Sequence, residues 1–206
     1  MINRDNIIDL LKKSIANPLA ATEVLQALFR GILIKSWYRL FNSGFSAGSN
    51  FRAYSWIHIK GPGRVIIGDN VTFGMGFLIH PFLLTHTPES LIQIHNGCNI
   101  TGTRISCVSS VKIGSDTLLG SATIVDSDII PHENMILDDE WKSRFAHPVT
   151  VGNHCWCGIN SIILGESNLG NECVLGAGAV IGKKVADDRS LLIGNPARKI
   201  GVTREV

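Results

Sequence analysis

The sequence predicts a mainly β solenoid with an N-terminal helical arm and one long inserted loop near residues 127–147. A six-residue period runs through the second half of the chain and returns in shorter pieces in the first half, and two helical stretches precede residue 45. A period of six fits neither a helix, with its period near 3.6, nor a plain strand, with its period near 2. It fits short strands in stacked coils, where each coil buries the face of its neighbour.

Composition excludes several classes of protein. The chain has 206 residues, 45% of them hydrophobic, and a formal net charge of +2. The hydrophobic share is too high for a disordered protein, and no apolar run reaches the ~20 residues that a bilayer-spanning helix needs. Basic residues do not form the dense stripe of a nucleic-acid binder, and the first residues lack a secretory-signal pattern. We therefore expect one folded protein in the cytoplasm that binds no nucleic acid.

The repeat is clearest from residue 151, where six consecutive units read VGNHCW, CGINSI, ILGESN, LGNECV, LGAGAV and IGKKVA. An aliphatic residue or Cys opens each unit, and Gly follows in five of the six. We expect the opening residue to point inward and the Gly to serve turns that need unusual dihedral angles. The fifth residue, from Cys155 to Val185, is small and should lie near a corner of the coil.

The five cysteines are predicted to be small core residues. Their number is odd, no export signal accompanies them, and no pair has the spacing of a zinc knuckle. Cys155 and Cys173 share a phase of the repeat and should stack on each other. No histidine pair has the five-residue spacing of a zinc enzyme on this type of fold, so we expect no metal.

The chain divides into a helical arm (1–45), a solenoid domain (46–200, with the insertion 127–147) and a short tail (201–206). Within the arm, residues 3–16 and 19–41 show helical spacing of apolar residues. The second stretch is more apolar than a solvated helix. It either caps the open end of the solenoid or makes peripheral contact with a membrane surface.

Two blocks carry a family resemblance: PVTVGNHCWCG (148–158) and LGAGAVIGKKVADDRSLLIGNPARKIG (175–201). They resemble the hexapeptide-repeat acyltransferases, which fold as a left-handed parallel β-helix, and most closely the bacterial sugar and surface-polysaccharide O-acetyltransferases. The resemblance covers about residues 57–200. Cys157 departs from it by replacing the usual Ile.

The resemblance implies an acetyl-CoA-dependent O-acetyltransferase that acts on a sugar hydroxyl during surface polysaccharide biosynthesis. It also implies a homotrimer with active sites between neighbouring solenoids. The residues that match its coenzyme-binding positions are Trp156, Gly158, Gly176 and Ala177 along the pantetheine arm, and Lys183, Lys184 and Arg198 near the phosphates.

The inserted loop is where such enzymes carry a catalytic histidine, commonly as Asp-Ser-Asp-x-His. Asp126 and Asp128 match, Ile130 stands at the histidine position, and His132 follows two residues later. The resemblance therefore implies that His132 is the base and that Asp126 or Asp128 orients it. A neutral imidazole is suited to take a hydroxyl proton. His147 is the next candidate, although its place directly before Pro148 favours a structural role.

Two alternatives stay open. One is an N-acetyltransferase for an amino-sugar nucleotide, which would prefer an amine acceptor over a hydroxyl. The other is a non-catalytic hexapeptide-repeat scaffold, which the Ile130 departure favours. The choice of acceptor depends on loops such as 127–147.

Overall fold

The computed structural model describes residues 18–41, 44–74, 76, 79–132 and 135–203. The predicted helix over 3–16 lies outside these residues. The described chain forms two helices, α1 (Pro18–Phe41) and α2 (Asp139–Phe145), and three sheets. Each of the six complete coils that the structure describes gives one strand to each sheet.

The sheets run side by side along the solenoid. The first sheet contains β1 (Phe45–Ala47), β4 (Arg64–Ile67), β7 (Leu91–Ile94), β10 (Ser110–Ile113), β13 (Val149–Val151), β16 (Asn168–Leu169) and β19 (Val185–Ala186). The second contains β2 (Arg52–Ala53), β5 (Thr72–Gly74), β8 (Asn99–Thr101), β11 (Leu118–Gly120), β14 (Trp156–Cys157), β17 (Val174–Leu175), β20 (Ser190–Ile193) and β21 (Arg198–Val202). The third contains β3 (His58–Lys60), β6 (Phe82–Thr85), β9 (Arg104–Cys107), β12 (Thr123–Val125), β15 (Ile162–Ile163) and β18 (Val180–Ile181).

Neighbouring strands are parallel in all three sheets, except that β21 turns back and pairs antiparallel with β20. Each strand pairs with the equivalent strand of the next coil, so equivalent residues stack along the axis. This architecture is the left-handed parallel β-helix that the repeat and the resemblance predicted.

The core lies inside the triangular coil and confirms the predicted phase. The six residues that open the repeat units are all buried: Val151, Cys157, Ile163, Leu169, Leu175 and Ile181. All five cysteines are buried with free thiols, and burial raises the pKa of Cys98 to about 11 and that of Cys157 to about 12. The prediction of core cysteines is therefore confirmed.

The repeat slips at its last unit, which corrects one expectation. Asn168 pairs with Val185 and Leu169 with Ala186, so this coil is one residue shorter than the 18-residue coils before it. Val185 is consequently 69% exposed, and Ala186 takes the interior place.

The glycines that directly follow the opening residue of a unit serve close packing and not the unusual dihedral angles that we expected. A Cβ on Gly152 would collide with the carbonyl group of Gly170 in the next coil, and neither residue has a left-handed φ. The left-handed turn positions hold other residues, such as Asn160, Glu166 and Glu172. Glycine is required here because stacked coils leave no room for a side chain.

Helix α1 lies across the first coil, as the capping interpretation expects. Ala27, Gly31 and Ile34 are buried on its inner face. Arg30 Nη1 donates a hydrogen bond to the Ala53 carbonyl, and Lys35 Nζ donates one to the Gly48 carbonyl, each at 2.9 Å. Over the described ranges, no helix combines the length and hydropathy needed to cross a membrane.

Candidate active site

The inserted segment leaves the solenoid after β12 and returns to it at β13. Its two ends are paired: the Asp128 amide donates to the Phe145 carbonyl at 2.9 Å, and Ser127 forms a β-bridge with Ala146. Lys142 Nζ of α2 lies 3.4 Å from the Glu89 carboxylate on the turn two coils below. The segment is thus a loop closed at its base and attached to the side of the solenoid.

Asp126, at the start of the insertion, is fully buried. Its carboxylate accepts hydrogen bonds from the amides of Val108 and Ser109, each at 2.7 Å, and from the Cys107 thiol at 3.3 Å. Burial raises the pKa of Asp126 although these hydrogen bonds favour its charged form. The carboxylate of Asp126, a predicted site residue, therefore points into the protein and holds the turn of the coil below.

Asp128 is the predicted carboxylate that faces solvent, and it belongs to a charged cluster. Its Oδ2 lies 3.3 Å from Lys183 Nζ and 3.6 Å from His147 Nε2. His147 Nδ1 lies 3.4 Å from Glu166 Oε1, so both ring nitrogens of His147 face carboxylates. We call Asp128, His147, Glu166 and Lys183 the corner cluster, because they lie where the chain passes from the third sheet to the first.

His132 lies further out on the inserted segment, with an exposed side chain. Its carbonyl accepts a hydrogen bond from the Met135 amide at 3.0 Å, and the preceding Pro131 is buried. Ile130, at the family's histidine position, is 63% exposed. The two histidines of the insertion thus differ: His147 is enclosed by carboxylates, whereas His132 faces solvent.

The glycine positions that match the coenzyme site meet at a different corner, where the chain passes from the second sheet to the third. A Cβ on Gly158 would lie in close contact with the Ala177 amide. The amides of Gly158 and Gly176 donate to the carbonyls of Leu175 and Leu192, at 2.7 and 2.8 Å. The Ala177 residue is exposed, and its amide takes part in no backbone hydrogen bond of the described chain. Of these three amides, that of Ala177 is the one available to a ligand.

The remaining predicted coenzyme contacts do not lie together in one place. Trp156 is 54% exposed on the outer face of the second sheet, and Arg198 is exposed on β21, opposite Ile193. Lys184 Nζ reaches the Ala197 carbonyl at 3.4 Å, whereas Lys183 joins the corner cluster. The structure therefore brings Lys184 and Arg198 near the same terminal strand and separates Lys183 from them.

His86 and Ser106 form a polar pair that the sequence analysis did not single out. His86 Nε2 lies 2.9 Å from Ser106 Oγ, and the Asp126 carboxylate is close enough to act on the pKa of His86. The two residues are 20 positions apart in the sequence and meet only because successive coils stack. Among the residues that the structure describes, no group of three or more His, Cys, Asp or Glu side chains is placed to hold a metal ion.

Comparison with known proteins shows which proteins this chain is similar to. The family model described as the hexapeptide repeat of succinyl-transferase matches residues 148–183. A putative lipopolysaccharide biosynthesis O-acetyl transferase, WbbJ of Escherichia coli K12, is 24% identical over 153 residues, which are 69% of this chain and 74% of that protein. The bifunctional protein GlmU of Wolbachia pipientis wMel is 26% identical over 179 residues, and the chain spans only 36% of its length.

Solved structures share the fold. The polysialic acid O-acetyltransferase OatWY superposes with a TM-score of 0.61 at 23% identity, over 79% of this chain and 77% of that one. AntD, an N-acyltransferase from Bacillus cereus solved with dTDP and 3-hydroxybutyryl-CoA, superposes with a TM-score of 0.54 at 18% identity, over 82% and 88%. By its repeat, its three-sheet coil and these relatives, the chain is similar to the hexapeptide-repeat acyltransferases and shares their fold.

Proposed function

We propose that this protein is an acetyl-CoA-dependent O-acetyltransferase that acts on a sugar hydroxyl in surface polysaccharide biosynthesis, in the cytoplasm. The observation that carries the proposal is the inserted segment, which presents an exposed histidine, His132, and an exposed aspartate, Asp128, on an acyltransferase fold. The E. coli relative supports the sugar hydroxyl as acceptor.

His132 is the proposed base. It takes the proton of the acceptor hydroxyl, whose oxygen attacks the carbonyl carbon of the acetyl thioester. The carbon–sulfur bond then breaks, and the coenzyme leaves as a thiol after taking the proton back from His132. His147 suits this role less, because neither of its ring nitrogens is free of a carboxylate neighbour.

Asp128 is the carboxylate that we propose to orient His132. Asp128 is exposed and lies on the same segment, whereas the carboxylate of Asp126 is committed to two backbone amides. We propose that His147 and Lys183 hold Asp128 in place and that Asp126 fixes the base of the segment.

Acetyl-CoA fits the corner that contains Gly158, Gly176 and Ala177. A coenzyme arm can approach the backbone closely there, and the exposed Ala177 amide can donate to its carbonyl oxygens or to the oxyanion. Lys184 and Arg198 are the proposed phosphate contacts on the terminal strand.

The separation of the two corners supports a homotrimer. The corner cluster and the glycine corner lie at opposite ends of the third-sheet strands, roughly 20 Å apart for a six-residue side of the coil. The acetyl donor at the glycine corner and the base His132 therefore come together most readily when the glycine corner of one protomer faces the inserted segment of another. We propose such a trimer, with one active site between each pair of solenoids.

The test is release of free thiol from acetyl-CoA with a panel of sugar, amino-sugar and sugar-nucleotide acceptors. We expect sugar acceptors to stimulate release, and His132→Ala to lower kcat by about 10²-fold or more. The control is His95→Ala, an exposed histidine at another corner, which should keep wild-type activity.

Each outcome has one meaning. Preference for amine acceptors would identify an N-acetyltransferase, and full activity of His132→Ala would transfer the role of base to another residue, His147 first. Absence of coenzyme binding to the wild type would identify a scaffold without activity.

A further inference from the structure

The outer face of α1 is an apolar surface that nothing in the described chain covers. Leu25, Phe29, Leu33, Trp37 and Leu40 follow one another at intervals of three or four residues, so they share one side of the helix. All five are exposed, from 45% for Leu33 to 76% for Leu40. We call these five residues the outer face.

The orientation of this face is fixed. On the opposite side, a Cβ added to Gly31 would collide with the Phe51 carbonyl, which shows how closely the helix approaches the first coil. The Ile59 amide donates to the Tyr38 hydroxyl at 3.0 Å, and Arg30 and Lys35 each bond a backbone carbonyl of the coil. The helix therefore cannot rotate to bury its outer face against its own solenoid.

The apolar surface continues beyond the helix into a cleft between α1 and the first coil. This cleft has a volume of about 460 Å³, and Leu33, Trp37, Trp56 and Ile57 contribute to its lining. Trp56 is 55% exposed at its edge, where Arg30 lies 6.0 Å from the centre of its ring. Continuous apolar surfaces of this kind mark interaction sites on otherwise polar proteins.

The charges around this face favour an anionic partner. The outer face itself contains no charged residue. On a helical projection of 100° per residue, Arg39 borders it on one side and Arg30 on the other. Glu23 is the one acidic residue of the helix. An anionic surface would attract both arginines.

We propose that the outer face of α1 binds the surface of an anionic lipid bilayer, with the helix in the plane of the membrane. At 24 residues the helix is about 36 Å long, and it lacks the hydropathy to span a bilayer. Exposed apolar side chains on one side, arginines at the borders and tryptophans at the rim suit contact with a bilayer surface, while the other side of the helix packs on the solenoid. This proposal does not depend on the proposed enzymatic activity.

The experiment is co-sedimentation of the full chain with vesicles of pure phosphatidylcholine and of phosphatidylcholine mixed with phosphatidylglycerol, without acetyl-CoA or acceptor. We expect the protein to bind the mixed vesicles at least 10-fold more tightly than the neutral ones. The double variant Phe29→Glu/Leu33→Glu should lose at least 10-fold in affinity for the mixed vesicles. The matched control, Val185→Glu/Ile200→Glu, adds the same charge at exposed apolar positions of the solenoid and should bind like the wild type.

Circular dichroism and light scattering complete the test. Both double variants should keep the wild-type spectrum, because all four positions are exposed. Equal binding of the wild type and Phe29→Glu/Leu33→Glu, equal binding to neutral and mixed vesicles, or no vesicle binding at all would each overturn the proposal. If only Phe29→Glu/Leu33→Glu dissociates a wild-type oligomer and no vesicles bind, the face is an interface between copies of the chain.

Discussion

The protonation state of the single residue His86 depends on the stacking of the coils. Burial lowers the pKa of His86, and the nearby Asp126 carboxylate opposes this shift in part. The folded protein therefore holds the imidazole neutral at a pH where the unfolded chain, with an ordinary pKa near ~6.5, is partly protonated. A neutral His86 can share a hydrogen bond with the Ser106 hydroxyl in either direction.

This arrangement predicts how stability depends on pH. Below pH ~6.5 the His86 imidazole binds more protons in the unfolded chain than in the folded one, so its contribution to the free energy of unfolding decreases as the pH falls below that value. We expect the free energy of unfolding in urea to decrease from pH 6.5 to pH 5, and His86→Gln to make this decrease smaller. His95→Gln, at an exposed histidine, should leave the decrease unchanged. An identical decrease in wild type and His86→Gln would contradict the assignment.

At the scale of elements, short polar side chains connect each coil to the next. The Asn153 side chain accepts from the Ser115 amide at 2.8 Å, Asn171 from the Asn153 amide at 2.9 Å, and Asp188 from the Asn171 amide at 2.7 Å. Turn amides that no strand can pair are satisfied in this way. These side-chain hydrogen bonds therefore help to keep the C-terminal coils in register although their strands are only two residues long.

Helix α1 approaches the backbone of the first coil closely at Gly31. A side chain at Gly31 has no space against the Phe51 carbonyl, so Gly31→Val must displace the helix or the coil. We expect a loss of about 2 kcal/mol or more in unfolding free energy and faster proteolysis within Pro18–Phe41. Ser36→Val, an exposed position of the same helix, places the same β-branched residue without a clash and should cost about 0.5 kcal/mol or less. Equal stability of the two variants would show that α1 is not anchored through Gly31.

At the scale of the whole molecule, the solenoid and the inserted segment are separable. The segment begins and ends in one paired base, where Asp128 and Phe145 share a hydrogen bond, and the coils above and below stack through β12–β15 and β10–β13. The insertion therefore supplies the proposed chemistry, while the coils supply the stability.

Replacing residues 129–144 by Asn-Gly tests this division. The dipeptide suits a two-residue turn between the paired ends, so the solenoid should keep its circular dichroism spectrum and cooperative unfolding. Thiol release from acetyl-CoA should fall to background, because His132 is gone. Unfolding of the shortened chain would show that the coils need the insertion, and retained turnover would show that the base lies outside it.

The sequence by itself determined the solenoid. A strict period of six with an aliphatic residue at one phase can bury its apolar side chains only when coils stack, so both the fold and the core from Val151 to Ile181 were predictable. The same pattern predicted buried cysteines without bonds, which the structure confirms. The slip at Val185 was not predictable, because it depends on how the last turn closes.

Only the tertiary structure decided which side chains meet at the site. Asp126 and Asp128 are two residues apart, yet one is buried and the other faces solvent, because the strand already ends at Val125 and the chain leaves the solenoid between the two aspartates. His147 meets Glu166, and His86 meets Ser106, because residues about one coil apart stack at the same corner. The period of the sequence predicts which residues face the core. Contacts between polar side chains depend on the turns, because the turns differ in length from coil to coil and set the distances between these side chains.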